Sequence, residues 1–159
     1  MKQAKRTMAV LVMVLLASVG CIHKTGGSVT PRERVMVYNA TLAEVNNTLE
    51  QGVEAVNNSK LISDAQARPI IVWTGNVATV HMQITAVLGR GTATTADVES
   101  VRALIQQIKV SGAEIVSSGA AGIKNPKSQQ TIGQDIQFIA NTADELLVAF
   151  QQLVPAGGK

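Results

Sequence analysis

The residues able to do chemistry are few. Cys21 is the only thiol of the 159-residue chain. A lone Cys excludes an intrachain disulfide framework and any multi-Cys metal site. The two histidines are His23 and His81. On a helix, the neighbours of His81 at three and four residues are Val77, Ala78, Ile84 and Thr85, none of them a metal ligand. The sequence therefore holds no His-x-x-x-His or Glu-x-x-His pair. Without Cys-x-x-Cys-His there is no covalent c-type haem site. A haem held by His81 and a Met is the one cofactor arrangement left. The plainer reading of His81 is a hydrogen-bonded residue at the edge of a core, so no cofactor and no metal are expected.

Nucleophilic catalysis needs a Ser or Cys beside a base that is itself oriented. His81 has no partner marked in the sequence, and no Gly-x-Ser-x-Gly or phosphate-loop pattern occurs. Gly89-Arg90-Gly91 superficially resembles a phosphate cradle, but it follows a helical pattern instead of opening a helix after a strand. It reads as a helix end, with Gly89 as the residue able to turn left-handed. Glu44, Glu50 and Glu54 read as a solvated acidic face and not as a catalytic carboxylate pair. Three Asn-x-Ser/Thr sequences, at Asn39, Asn46 and Asn57, are too weak a pattern to use. No catalytic residue is assigned, and the expectation is that the protein is not an enzyme.

The charge balance points the same way. Lys and Arg total 14 and Asp and Glu 11, a net charge of +3. Lys2, Lys5 and Arg6 carry that excess, and the rest of the chain holds 11 of each sign. Nucleic-acid binding draws on a basic surface that displaces counterions. A neutral body predicts no nucleic-acid partner. Hydrophobic residues at 46% exclude a wholly disordered chain, and aromatics at 3% leave few rings for stacking.

The first 20 residues read as a targeting segment. Three basic residues precede the apolar run Met8 to Ala17, and the small residues Ser18-Val19-Gly20 follow it. At ten residues the run is short of the roughly 20 needed to span a bilayer. Leu16-Ala17-Ser18-Val19-Gly20-Cys21 resembles the lipobox of bacterial lipoprotein precursors, although that class prefers Leu where Ser18 stands. The resemblance implies cleavage between Gly20 and Cys21 and acylation of Cys21 with fatty acyl chains such as palmitate. Simple export with a free N-terminal Cys is the alternative. Ile22, in place of Asp, implies outer-membrane sorting facing the periplasm in a Gram-negative cell. The expected organisation is a signal peptide over 1–20, a lipidated Cys and flexible tether over 21–32, a helical body over 33–155 and a disordered tail over 156–159.

Four stretches of the body repeat the 3-4 spacing of helices packed at shallow angles. They are Tyr38, Leu42, Val45, Leu49, Gly52 and Val56; Ile70, Trp73, Val77, Val80, Ile84 and Val87; Val98, Val101, Ile105, Ile108, Gly112 and Ile115; and Ile132, Ile136, Ile139, Ala143, Leu146, Phe150 and Leu153. Boundaries fit: Ser63 with Gln66 and Thr94 with Asp97 as caps, Pro69 in a first turn, and Asn125-Pro126 as cap and first helical residue. Loops of about ten residues or fewer favour antiparallel neighbours. The expected fold is all-α, an antiparallel four-helix bundle. Its last helix carries a Gln-rich outer face of Gln130, Gln134, Gln137 and Gln152.

The second stretch is unusual. Ile70 to Leu88 contains no charged residue, and Gly75, Ala78, Met82 and Ala86 form a stripe opposite its main seam. Thr74, His81 and Thr85 flank that stripe on one side, and Asn76, Thr79 and Gln83 on the other. So many polar groups exclude a membrane span. A helix apolar on two faces is either central or meets another chain. The missing charges favour cover by a third helix of the same chain, while the polar flanks suit the rim of a partner face. The functional reading is a membrane-anchored envelope lipoprotein with a structural or interaction role, partnered by an envelope protein or by itself. Its rivals are a small-molecule or cofactor carrier using the core, or a phage-encoded envelope protein.

Overall fold

The computed structural model describes residues 29–154, apart from the side chains of Ala120 and Ala121. All regular structure among these residues is helical: α1 Pro31–Asn58, α2 Asp64–Arg90, α3 Thr95–Ser117, the single turn α4 Gly119–Gly122, and α5 Pro126–Gln151. The signal segment, Gly20, Cys21, most of the expected tether and the tail lie outside the described residues.

Helix starts follow local chemistry. Thr30, Ser63 and Thr94 each cap a helix and close a capping box with Glu33, Gln66 and Asp97. Helix α1 thus begins at Pro31, inside the stretch expected to be tether. The missed signal is Thr30-Pro31-x-Glu33, a cap followed by Pro at the first helical position. Asn125 caps α5 through its Oδ1, which accepts from the N–H groups of Lys127 and Ser128. Pro69 lies within α2 and not in its first turn. The left-handed residue after α2 is Gly91, at φ 84°, while Gly89 is still helical.

The core is built on the four seams and extended by Val35, Val53, Ile62 and Ile123, while Tyr38, Gly52 and Val56 of the first seam are only half-buried. All six seam positions of α2 and all six of α3 are buried, as are Ile132, Ile136, Ile139, Ala143, Leu146 and Phe150 of α5. Helix α1 packs on α2 and α5, and α3 packs on the same two. Arg32 near the start of α1 bonds carbonyls at the end of α2, and Arg34 reaches Gln152 just past α5. Helix α1 therefore runs opposite to both. Trp73 locks α2 to α3: its Nε1–H donates to the Ile108 carbonyl at 2.7 Å. Gly112 makes room for that ring, since a Cβ there would stand 3.1 Å from Trp73 and from Ile136. Gly52, by contrast, meets nothing within 4 Å and mediates no close approach.

A polar seam joins α1 and α2. Asn39 Nδ2 donates to Thr85 Oγ1, and Asn46 Nδ2 donates to the Thr74 carbonyl. The Oδ1 atoms of both Asn are buried without a donor. Buried amides of this kind restrict helix register at a cost in stability.

Candidate functional site

His81 is half-buried, with Nδ1 3.2 Å from the Asn39 carbonyl. Among the described residues no group of three or more His, Cys, Asp or Glu could hold a metal ion. On α2, Gly75, Met82 and Ala86 are exposed and Ala78 is half-buried; Met82 is 61% exposed and Val72 58%. The favoured cover by a third helix is therefore corrected: no described helix covers the stripe. The ring of contacts explains this, because α1 and α3 flank α2 and leave its outer side open.

A different feature appears where the chain ends of the helices meet. One end of the molecule holds the start of α1, the end of α2, the start of α3 and the end of α5. The other holds the end of α1, the start of α2, the end of α3, α4 and the start of α5. At the first end the cations are committed to the fold. Arg32 donates to the Leu88 carbonyl at 2.7 Å and the Gly91 carbonyl at 3.3 Å, satisfying the orphan acceptors that terminate α2. Arg34 donates to Gln152 Oε1. Arg90 pairs with Asp97 at 2.6 Å. The Thr94 hydroxyl and backbone N–H, then Arg90, hold the Asp97 carboxyl down at about 2. Hydrogen bonds from Thr30 likewise lower that of Glu33.

The second end carries Lys60, Arg68, Lys124 and Lys127, all exposed. None makes an ion pair or a side-chain hydrogen bond among the described residues. Gln66 Nε2 donates to the Gly122 carbonyl and ties the start of α2 to α4, bringing the Arg68 and Lys124 segments to one end. The acids here are Asp64, bonded by Asn57 Nδ2, and one turn inward Glu54 and Glu114.

Two of these cations sit where local energetics oppose them. Lys60 has φ 57°, the non-Gly residue with positive φ among those described. It closes α1 through Lys60 N–H to the Asn57 carbonyl and Leu61 N–H to the Val56 carbonyl, a termination that Gly fills without strain. A side chain there costs about 1–2 kcal/mol. Lys127 lies in the first turn of α5, where the helix dipole disfavours a cation by about 0.3–1 kcal/mol. Helices α1, α2 and α3 each place an acid in that turn, and α5 places none. Residues held against local preference concentrate at functional sites. Sequence reasoning missed this cluster because it summed charge over the whole body.

Beside this end, Val116, Gln129, Gln130, Gly133, Gln134 and Gln137 line a shallow groove of about 290 Å³ between α3 and α5. Asp135, nearby on α5, has its carboxyl raised to about 6 by burial.

A protein-family model described as DNA recombination-mediator protein A matches residues 53–152, more than half of the chain. The match takes in α2 to α5 and all four cations of this end, and leaves out Arg32 and Arg34. No curated protein and no solved structure matches the chain. The family match overturns several expectations. The mature body does have a recognisable family. A DNA-processing family replaces the reading as a structural envelope lipoprotein, its membrane and palmitate associations, its envelope-protein partner and its exported, lipid-anchored place. It equally overturns the expected absence of a nucleic-acid partner. The lipobox resemblance rested on Leu16–Cys21 alone, with Ser18 off pattern, whereas the family match spans the folded body. Gly20 and Cys21, named for cleavage and lipidation, lie outside the described residues.

Proposed function

The chain belongs to the DNA recombination-mediator protein A family, and from that premise we propose that it is a non-catalytic, DNA-associated protein of recombination. An antiparallel four-helix bundle serves as its scaffold. The end carrying Lys60, Arg68, Lys124 and Lys127 faces DNA phosphates, and the protein works where the cell's DNA is. The family match over residues 53–152 carries the reading. The geometry supports it, since these cations have no protein partner and two of them oppose local preference.

A non-catalytic role fits the absence of an oriented nucleophile–base pair around His81. With at most four phosphates engaged, binding is weak and salt-sensitive. Its logarithm falls with log salt at a slope of about −0.9 per phosphate on duplex DNA. The test is fluorescence anisotropy of a labelled 30-base-pair duplex with the full chain at about 50 and about 200 mM salt. The expected weakening over that range is about 100-fold. Absence of binding at the lower salt overturns the proposal.

A further inference from the structure

We propose that the open side of α2 is the contact face of an antiparallel homodimer, in which two copies of this chain meet about a two-fold axis at Thr79.

At about 100° per residue, Val72, Gly75, Thr79, Met82 and Ala86 share that side, and all five are exposed. Met36 of α1 adds to them. It lies one turn from both Arg32 and Asn39, which bond the Leu88 carbonyl and Thr85 of α2, and it is 53% exposed. A contiguous apolar patch left in water marks a contact site. The sizes of its residues say what fills it. Reversed about Thr79, the stripe sets Val72 against the second copy's Ala86 and Met82 against the second copy's Gly75, so each large side chain meets a small one. Gly75 has no such use within the chain. A Cβ there would meet nothing within 4 Å, and Gly inside a helix lowers its stability. The Thr79 hydroxyl already donates to the Gly75 carbonyl, so covering the axis strands no donor.

Charge sets the direction. On α2 no charged residue lies between Arg68 and Arg90, so the centre of the contact carries no repulsion. The end of α2 is basic, with Arg90 and with Arg32 of α1 beside it. Its start is flanked by acids. Glu50 and Glu54 follow Asn46, which bonds the Thr74 carbonyl, at one and two turns along α1. On α3, Glu114 follows Ser100, the partner of Gln83, by about four turns and so holds the same side. Arg68, at the same start of α2, is outnumbered by these acids. An antiparallel pair brings Glu50 and Glu54 to the second copy's Arg32, and Glu114 to the second copy's Arg90. A parallel pair would set like on like. A single helix stripe and its flanks fall below the roughly 800 Å² per partner of a standard interface, which makes this a reversible dimer.

The experiment is sedimentation velocity of the full chain without DNA, from low to high micromolar concentration. The expected result is a monomer that passes to a dimer as concentration rises. Met82→Glu raises the dissociation constant at least tenfold while its melting temperature stays within a degree or two. Gly75→Leu melts higher than wild type and dimerises at least tenfold more weakly. In a Cys21→Ser background, Thr79→Cys crosslinks to itself under mild oxidation. Ala86→Cys, about 10 Å along the helix from the axis, does not. A chain that stays monomeric throughout, a dimer indifferent to Met82→Glu, or self-crosslinking of Ala86→Cys overturns the inference.

Discussion

The two ends of this molecule carry similar charges and put them to opposite use. At the end where α1 starts, Arg32, Arg34 and Arg90 close helix termini and tie loops, and Asp97 and Glu33 belong to caps. At the end where α5 starts, the charged groups of Lys60, Arg68, Lys124 and Lys127 bond to no other described side chain or carbonyl, and Lys60 and Lys127 oppose the backbone that presents them. Charge that serves stability is found at caps and paired. Charge that costs stability and is still exposed has to be explained by something outside the fold. Counting charge over a body with equal numbers of each sign conceals that difference, because the local field and not the sum acts on a ligand.

The largest perturbation removes what holds the two ends in one unit. Trp73→Ala should cost about 3–5 kcal/mol. It empties a fully buried site, strips the Ile108 carbonyl of its indole donor, and leaves Gly112 facing a void. Chemical denaturation should show one transition moved to lower midpoint. Two separate transitions would mean that the ends fold independently.

The ends themselves come next. Lys60→Gly should raise stability by about 1 kcal/mol by relieving the left-handed Lys, and should weaken duplex binding. Thr94→Ala should do the opposite. It removes a cap and half of a capping box, costing about 1 kcal/mol, and should leave DNA affinity within twofold. Melting and anisotropy on both variants check the pair. A Lys60→Gly protein that binds duplex as wild type would break the contrast between the ends.

A smaller effect concerns pH. Burial raises the Asp135 carboxyl to about 6, above its ordinary 3.8. The folded state then holds a proton more tightly than the unfolded one. Stability from this group should fall as pH rises from about 4 to about 6 and stay level above. Asp97 acts in reverse. Held at about 2 by Thr94 and Arg90, it contributes stability above pH 4 that is lost as pH falls towards 2. Asp135→Asn should flatten the first slope in urea titrations run across that range, and an unchanged slope would assign it elsewhere. Smallest of all is Ala78→Glu on the open side of α2, expected to change stability by less than about 0.5 kcal/mol.

Periodicity made the helices legible. Four runs of 3-4 spacing located the seams, and every seam position of α2 and α3 is buried because an amphipathic helix hides one stripe. Caps were legible where the sequence signature is local, as at Ser63, Thr94 and Asn125. The start of α1 was missed because Thr30-Pro31 reads equally as a loop. Gly89 and Gly91 were exchanged because either Gly can end a helix, and hydrogen bonding through Leu88 decides which does. The cationic end was illegible for a more basic reason. Lys60, Arg68, Lys124 and Lys127 come from three separate stretches, and only the antiparallel return of the chain brings them to one end. The short N-terminal pattern, by contrast, was vivid and local, and drew the functional reading away from the body.

Whether the cationic end meets DNA is decided by a chemical-shift titration of the ¹⁵N-labelled full chain with a 12-base-pair duplex at low salt. Amide perturbations should gather in residues 59–68 and 122–128 and fade as salt is raised, with residues 88–97 unmoved. Perturbations centred on residues 88–97, or none anywhere at millimolar duplex, would contradict that contact.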